Sequence, residues 1–344
     1  MNNISSAIQQ KRSLKLHNQE SHPLCMLKRE IQTYLHTFEA YDHLSEVVPL
    51  HQNFDDLRIP KDHPSRRLSD TYYVNATHVL RTHTSAHQTY LLQQGVRQFL
   101  VTGEVYRKDT IDRYHYPIFH QMEIVKIVED VDPLEDLVHT LSRLIEHLLP
   151  GVEYKILDDS FPFTEPSIQV DAKWGDHWVE LLGAGVIHPE ILDRCEIEET
   201  GWAVGLGLDR ILMQKCEIPD IRYLWTEDPR FLRQYANGLV TFRPYSKYPP
   251  VYKDVSFWVE EYQEHPEEAI WDQYYDLCEL VRELGNGYIE EVQLLDVYRT
   301  STRTSLAYRV VYRSNSGTLT HEEINRIQDH IRDQLAQSFA VELR

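Results

Sequence analysis

Between residues 24 and 41 the apolar positions Leu24, Leu27, Ile31, Tyr34, Leu35 and Phe38 recur at helical spacing, which predicts one amphipathic helix. A loop region marked by Asp55, Asp56, Pro60 and Pro64 follows it. Short β-rich runs then occupy 71–75, 99–106, 123–128, 154–157, 167–172 and 177–183, with helical segments over 85–94 and 134–148 among them. Ile168, Val170 and Ala172 alternate with polar residues, the period of an antiparallel strand with one solvated face. Regular crossover helices do not separate these strands, so a doubly wound parallel sheet is disfavoured and the pattern is α+β.

Pro244, Pro249 and Pro250 punctuate the stretch 241–250 and mark a domain boundary. Beyond it the pattern reads strand 252–259, helix 270–283, strand 293–298, strand 305–312, helix 321–339 and strand 340–343. That βαββαβ order is ferredoxin-like, a fold that does not by itself specify a function. The expected division is an N-terminal tail over 1–21, a core domain over 22–240 and a C-terminal domain over 241–344.

Composition changes this picture little. The chain has 344 residues, 42% of them hydrophobic, enough for two packed domains. Cys25, Cys195, Cys216 and Cys278 are scattered with no Cys-x-x-Cys pair, which disfavours a disulfide framework or a zinc knuckle and makes a reducing compartment the default. No apolar run reaches the ~18–20 residues needed to cross a bilayer. Lys11, Arg12 and Lys15 sit in an N-terminal stretch without acids; a solvated basic tail is expected there, with a transit peptide as the alternative. The net charge of −19 argues against a general nucleic-acid binder but leaves room for a local basic patch.

Candidate chemistry is concentrated in two places. Arg107, a short polar loop, His115 and Phe119 come in an order suited to gripping a bent nucleoside triphosphate. Arg107 can fork two α-phosphate oxygens, His115 can meet the outer phosphates and Phe119 can stack on a purine. About a hundred residues later Arg210 stands behind Gly205 and Gly207, where backbone can approach a nucleotide, and can clamp the γ-phosphate. Taken singly, Arg107 could be a surface ion pair, Phe119 core and the glycines a tight turn. Elsewhere, His83 and His87 are spaced as two zinc ligands on a helix would be, but no glutamate or third ligand accompanies them. After Val297 a stretch free of acids carries Arg299, Arg303, Arg309 and Arg313 with Tyr298, Tyr308 and Tyr312. On two adjacent strands these could offer charge and stacking surfaces to unpaired bases; a solvated hairpin face is the alternative.

The segments around Arg107 and Arg210 resemble motifs 2 and 3 of the class II aminoacyl-tRNA synthetases. The wording around them, from about residue 22 onward, is similar to the phenylalanyl-tRNA synthetases in their compact single-chain form. The resemblance implies an antiparallel sheet with flanking helices and a ferredoxin-like anticodon-binding domain. It implies activation of phenylalanine with ATP and Mg²⁺ and transfer to phenylalanine tRNA by a monomer. A paralogue that adenylates an amino acid for another acceptor, and a non-catalytic RNA-binding descendant, are the alternatives. The cytoplasm is the expected compartment and the mitochondrial matrix the alternative.

Carried over by residue, the resemblance makes Arg107 and Arg210 catalytic and adds Asp109, His115 and Phe119 at the nucleotide. It places His83, Ser85, Ala86, His87, Gln88, Tyr114, His115, Tyr116 and Met122 at the amino acid, with Gln121 and Glu123 at its ammonium group. Arg107 and Glu180 match further amino-acid contacts, and Phe161 and Phe163 match the phenyl pocket, whose floor is Ala203. Glu165 matches a magnesium position, and the four arginines from Arg299 to Arg313 would face tRNA. Three departures stand out. Val204 replaces a usual phenylalanine, which suggests a larger pocket; Ile168 and Gln169 replace a Phe-Glu or Val-Glu pair; and Asp209 replaces a glutamate, which suggests a looser contact behind Arg210.

Overall fold

The structure is a computed structural model and describes residues 2–244, 248–260, 271–314 and 316–344. It divides into two compact units: Met1–Ile4, Gln10–Arg107 and Ile118–Phe242 form the first, and Ser5–Gln9, Lys108–Pro117 and Arg243–Arg344 the second.

Helix α1 (Ser6–Lys11), whose residues up to Gln9 belong to the second unit, and a single 3-10 turn precede α2 (Pro23–Tyr34). Proline at the first position and the His22 ring, whose Nδ1 accepts from the Leu24 amide, start α2. The expected helix over 24–41 is therefore too long: it stops at Tyr34, and its last residues become β1 (Glu39–Tyr41). The short strands β2 (Val47–Pro49) and β3 (His78–Leu80) pair with each other. The strand expected at 71–75 is only a bend, with an isolated bridge from Tyr73 to Val79. Helix α3 (Gln88–Gln93), strands β4 (Gln98–Tyr106) and β5 (Ile118–Val128), and helix α4 (Pro133–Leu148) follow. Asp132 caps α4 by accepting from the amides of Leu134 and Glu135. Strands β6 (Tyr154–Asp159), β7 (Thr164–Trp174) and β8 (His177–Ile187), helix α5 (Pro189–Arg194), strand β9 (Thr200–Gly207) and helices α6 (Leu208–Lys215) and α7 (Pro229–Gln234) complete the first unit.

Seven strands make its sheet, in the order β1-β4-β5-β9-β8-β7-β6. Only the β1–β4 pair is parallel. Strand β9 lies at the centre although the hydrophobic pattern does not announce it, because Gly201, Gly205 and Gly207 dilute the alternation. Opposed residues in an antiparallel ladder project to the same side. One face therefore carries Phe119, Gln121, Glu123 and Val125 with Ala203 and Gly205 opposite them, and Gly183, Gly185 and Gln169 beyond. The other face carries the row Leu100, Ile124, Val204, Ala184 and Ile168, all buried.

The basic stretch at the N-terminus is not a solvated tail. Arg12 and Lys15 both pair with Glu46, and Leu16 and His17 are buried.

The second unit contains β10 (Val251–Val259), α8 (Tyr274–Leu284), β11 (Ile289–Arg299), β12 (Thr304–Tyr312), α9 (His321–Ser338) and β13 (Glu342–Leu343). Its sheet order β11-β12-β10-β13 is all antiparallel, the ferredoxin-like arrangement. A capping box between Thr320 and Glu323 starts α9. The expected start of α8 at Ile270 and residues 245–247 of the expected boundary lie outside the described residues. Tyr308 and Tyr312 are fully buried, so they cannot offer stacking surfaces to bases. The opposite side of the sheet keeps Tyr252 and Tyr298 more than half exposed. The loop Lys108–Pro117 belongs to this unit and contributes Ile111 to its core.

Candidate active site

Where β4 ends, Arg107 donates from Nε to the Thr82 carbonyl at 2.7 Å, and its guanidinium stands 5.4 Å from the centre of the Phe119 ring. That is cation–π range, and it leaves a planar cation beside an aromatic face, the pairing a purine nucleoside phosphate needs. Asn53 fixes the Thr82 segment in two ways: its Nδ2 donates to Thr82 Oγ1 and its Oδ1 accepts from the Thr82 amide, both at 3.0 Å. Asn53 was not singled out from the sequence, since a lone asparagine in a proline-marked loop carries no pattern. Arg210, in the first turn of α6, donates from Nη1 to the Glu180 carbonyl at 3.0 Å and lies 3.9 Å from the Glu180 carboxylate. Glu180 thus anchors Arg210.

The second cluster lies on the same sheet face as Phe119. Ser85 Oγ donates to Glu123 Oε2 at 2.6 Å, and the Thr84 amide donates to Gln121 Oε1 at 3.2 Å. Glu123 is 2% exposed, and burial pushes its carboxyl up to about 8 against the weaker opposing pull of the Ser85 and Thr84 hydroxyls. Thr84 is a further contributor that sequence reasoning passed over. Gln88 is buried, and its Oε1 has no partner among the described residues. These are acceptors gathered in a dry place, suited to a bound ammonium group.

Beside them the Phe161 and Phe163 rings stack with centroids 5.6 Å apart and planes 5° from parallel. His83 leans on Phe163 at 6.4 Å. Burial, then the Arg107 charge, hold the His83 imidazole down to about 3, so it is neutral. Small residues make the space. A Cβ on Gly183 would come within 2.8 Å of the Phe161 ring, and one on Gly205 within 2.5 Å of the Gln121 amide nitrogen. Ala203 lies on this face, opposite Val125 and Gly185.

Several expected residues sit elsewhere. Val204 and Met122 point to the far side of the sheet, so their side chains do not line the face that carries Phe119 and Glu123. Adjacent strand residues cannot both face one pocket, and Ala203 takes that place. Ile168 is in the same rear row as Val204, whereas Gln169 is on the pocket face and bonds Asp171 at 2.6 Å. His87 bonds the Ser45 carbonyl at 3.1 Å, and burial holds its ring down to about 3. His83 is in extended backbone before the turn that contains His87, so the two are not ligands on one helix. Ala86 is buried in the core beside them.

Asp209 is not loose. It is buried and accepts from both the His120 amide and the His120 ring.

The loop after Arg107 is described with the second unit. There Asp112 accepts from the amides of Tyr114 and His115 and bonds the His115 ring at 2.7 Å, which fixes a tight polar turn. Asp109 Oδ1 accepts from the Thr110 amide, and Tyr116 lies 6.0 Å from the Arg282 guanidinium. Glu165 is exposed, 3.5 Å from His188 Nε2, and no group of three potential metal-binding side chains among the described residues includes it.

Of the four C-terminal arginines, three are held by acids. Arg309 forks Asp254 with two bonds of 2.8 Å, Arg303 pairs with Glu342 at 2.6 Å and Arg313 with Glu290 at 2.5 Å. Arg303 also lies 4.2 Å from the Trp258 ring, and Arg344 approaches both Trp258 and Tyr298. Arg299 ends β11 and is exposed.

Comparison with known proteins agrees with this arrangement. Residues 7–235 match the model of the class II tRNA synthetase core domain (F), and residues 246–344 match the ferredoxin-fold anticodon-binding domain. The chain is 42% identical to the chloroplastic/mitochondrial phenylalanine–tRNA ligase of Arabidopsis thaliana, over 100% of this chain and 83% of that protein. It is 37% identical to the mitochondrial enzyme of Mus musculus, over 99% of this chain and 86% of the other. Against the mitochondrial enzyme of Saccharomyces cerevisiae the identity is 35%, over 99% and 92%. These relatives are named for organelles, which does not support the cytoplasmic expectation. No helix among the described residues is long and apolar enough to cross a membrane. With a class II synthetase sheet, a ferredoxin-fold second unit and full-length relatives of one activity, the chain belongs to the family of phenylalanine–tRNA ligases.

Proposed function

We propose that the chain joins phenylalanine to its tRNA in two steps, with ATP as the energy source. The observation that carries this reading is the buried Ser85–Glu123 acceptor pair on the same sheet face as the Phe161–Phe163 stack: one end suits an ammonium group, the other a phenyl ring. In the first step the amino acid's carboxylate oxygen attacks the α-phosphorus of ATP and pyrophosphate leaves in line. Arg107 neutralises charge on the α-phosphate while Phe119 stacks on the base, and Arg210 closes over the outer phosphates. Asp109 and His115 remain the further nucleotide contacts that the resemblance implies. In the second step a hydroxyl of the tRNA's terminal ribose attacks the carbonyl carbon of the mixed anhydride and AMP leaves. No protein nucleophile is needed.

Magnesium would screen the phosphate charge. A lone exposed carboxylate such as Glu165 suits an ion that keeps most of its shell from phosphates and water, not a protein cage, so no step is assigned to it. The second unit is proposed to hold the tRNA, and the organelle matrix is the compartment that the relatives' names favour.

Val204 and Asp209 do not argue for another acceptor: one lies behind the sheet and the other is held by the His120 amide and ring. The test is ATP–pyrophosphate exchange with each amino acid, followed by charging of total tRNA. Exchange specific to phenylalanine with charging of its tRNA is expected. Exchange without charging would overturn the tRNA acceptor, and no exchange would overturn the enzyme.

A further inference from the structure

Behind the sheet, opposite the nucleotide-facing side chains, His17, Glu104 and His120 converge on one point. Their ligand atoms all lie within 4.8 Å of one another, and all three residues are buried. Glu104 and His120 are directly opposed on β4 and β5, so the ladder itself brings them together; His17 enters from the 3-10 turn Leu16–Asn18. His17 Nδ1 is 3.6 Å from Glu104 Oε1, beyond hydrogen-bond range. His17 Nδ1, Glu104 Oε1 and His120 Nε2 are each buried without a hydrogen-bond partner among the described residues.

The outward nitrogens explain which atoms face the centre. His17 Nε2 is 3.4 Å from the Asp42 carbonyl, which can only accept, so that nitrogen carries the proton and Nδ1 has the lone pair. His120 Nδ1 is 3.2 Å from the Asp209 carboxylate, which places the proton there and leaves a lone pair on Nε2. Lys15 occupies Glu104 Oε2 at 3.2 Å and leaves Oε1 to the centre. Three lone pairs therefore meet with no proton among them. A water molecule has two hydrogens and cannot serve all three, whereas a cation can.

We propose that His17 Nδ1, Glu104 Oε1 and His120 Nε2 bind a divalent transition-metal cation, zinc foremost. Two imidazole nitrogens and one carboxylate oxygen are a zinc donor set, and a tetrahedral ion with bonds of ~2.0–2.1 Å leaves a fourth position for water. Ligating histidines normally donate their other nitrogen to a carboxylate or a backbone carbonyl, and here Asp209 and the Asp42 carbonyl fill those places. Trp225 stacks on the His120 ring at 5.4 Å and closes one side. The ion sits behind the nucleotide groups: His120 follows Phe119, Asp209 precedes Arg210 and Glu104 lies three residues before Arg107. It is a positioning clasp that ties the N-terminal turn to the rear of the sheet and takes no part in the chemistry.

The test uses untagged full-length protein. Its zinc content is measured by atomic emission, and zinc or cobalt is then titrated into chelator-stripped protein while thermal stability is followed. One equivalent per chain is expected, with a cobalt spectrum of four-coordinate nitrogen–oxygen ligation and a higher melting temperature on loading. Glu104→Gln and His17→Gln should lose that equivalent, and Asp209→Asn should weaken it by roughly 10–100-fold, as for loss of a partner to a ligating histidine. The wild-type titration decides the matter even if a variant fails to fold. Folded wild-type protein that takes up no stoichiometric zinc or cobalt overturns the proposal, as does an equivalent that survives in folded Glu104→Gln and His17→Gln.

Discussion

Ser85 gives its hydroxyl hydrogen to Glu123 across 2.6 Å, and that carboxyl is buried deeply enough to hold its proton up to about pH 8. A substrate ammonium pairs with the ionised carboxylate only. Below pH 8, binding of the amino acid must therefore expel the proton, and affinity should rise with pH. Between pH 6 and 7.5 the dissociation constant for phenylalanine should fall by up to about tenfold per unit, then level off as pH passes 8. Glu123→Gln should bind weakly with no such slope. Calorimetric titration in two buffers of different ionisation enthalpy reads the released proton directly; a flat profile with no proton release would refute the role of Glu123.

Arg107 is held from behind by the Thr82 carbonyl, which in turn rests on Asn53. Removing the guanidinium in Arg107→Ala should slow pyrophosphate exchange by roughly 10²–10³-fold, as for loss of one preorganised oxyanion donor. Arg107→Lys should recover little, because an ammonium cannot fork two oxygens. Asn53→Ala should reproduce part of the loss by releasing the Thr82 segment. Near-normal exchange in Arg107→Ala would end the assignment.

Local patterns made much of this molecule readable in advance. The β4, β6 and α4 segments, the ferredoxin order and the arginine-bearing motifs are all short-range signals. What escaped the sequence depends on partners far along the chain or on strand parity. Arg12 and Lys15 look like a free basic tail until Glu46 is folded against them, more than thirty residues away. Val204 stands next to Ala203, yet strand alternation turns it into the rear row with Ile124 and Ala184. Tyr298 and Tyr308 look equivalent in the sequence, but one is 53% exposed and the other fully buried, because the helices cover only one face of that sheet. Asp209 appears too short until the pairing of His120 with its carboxylate is visible. None of these outcomes is written in a window of ten residues.

Ala203 faces the pocket between Val125 and Gly185, with the phenylalanine stack nearby. Shortening it in Ala203→Gly should admit para-chloro- and para-bromophenylalanine, read as new amino-acid-dependent exchange. In the unaltered chain an apolar pocket should reject the added hydroxyl of tyrosine by a factor on the order of 10² only. Rejection by five orders of magnitude would mean that a polar group in the pocket reads the ring's para position.

The open face of the second sheet, not its buried tyrosines, is the surface expected to meet RNA. Tyr252, Trp258 and Tyr298 present rings there, and Arg303 and Arg309 lie against two of them. Arg309 is exposed and paired to an exposed Asp254, an arrangement worth little in water, so the guanidinium can exchange its carboxylate for a phosphate. Trp258→Ala should weaken tRNA binding by the loss of one stacked base, ~1–3 kcal/mol. Replacing Arg299, Arg303, Arg309 and Arg313 together with alanine should weaken binding further and flatten its salt dependence by about 0.7 for each phosphate no longer neutralised. Pyrophosphate exchange should be unchanged in both variants. Tyr308→Ala should instead unfold the unit, since its ring stacks between Phe257 and Tyr274. Filter binding across a salt series measures the first two effects and circular dichroism the third. Unaltered tRNA affinity in the fourfold arginine variant would move the RNA-binding surface off this face.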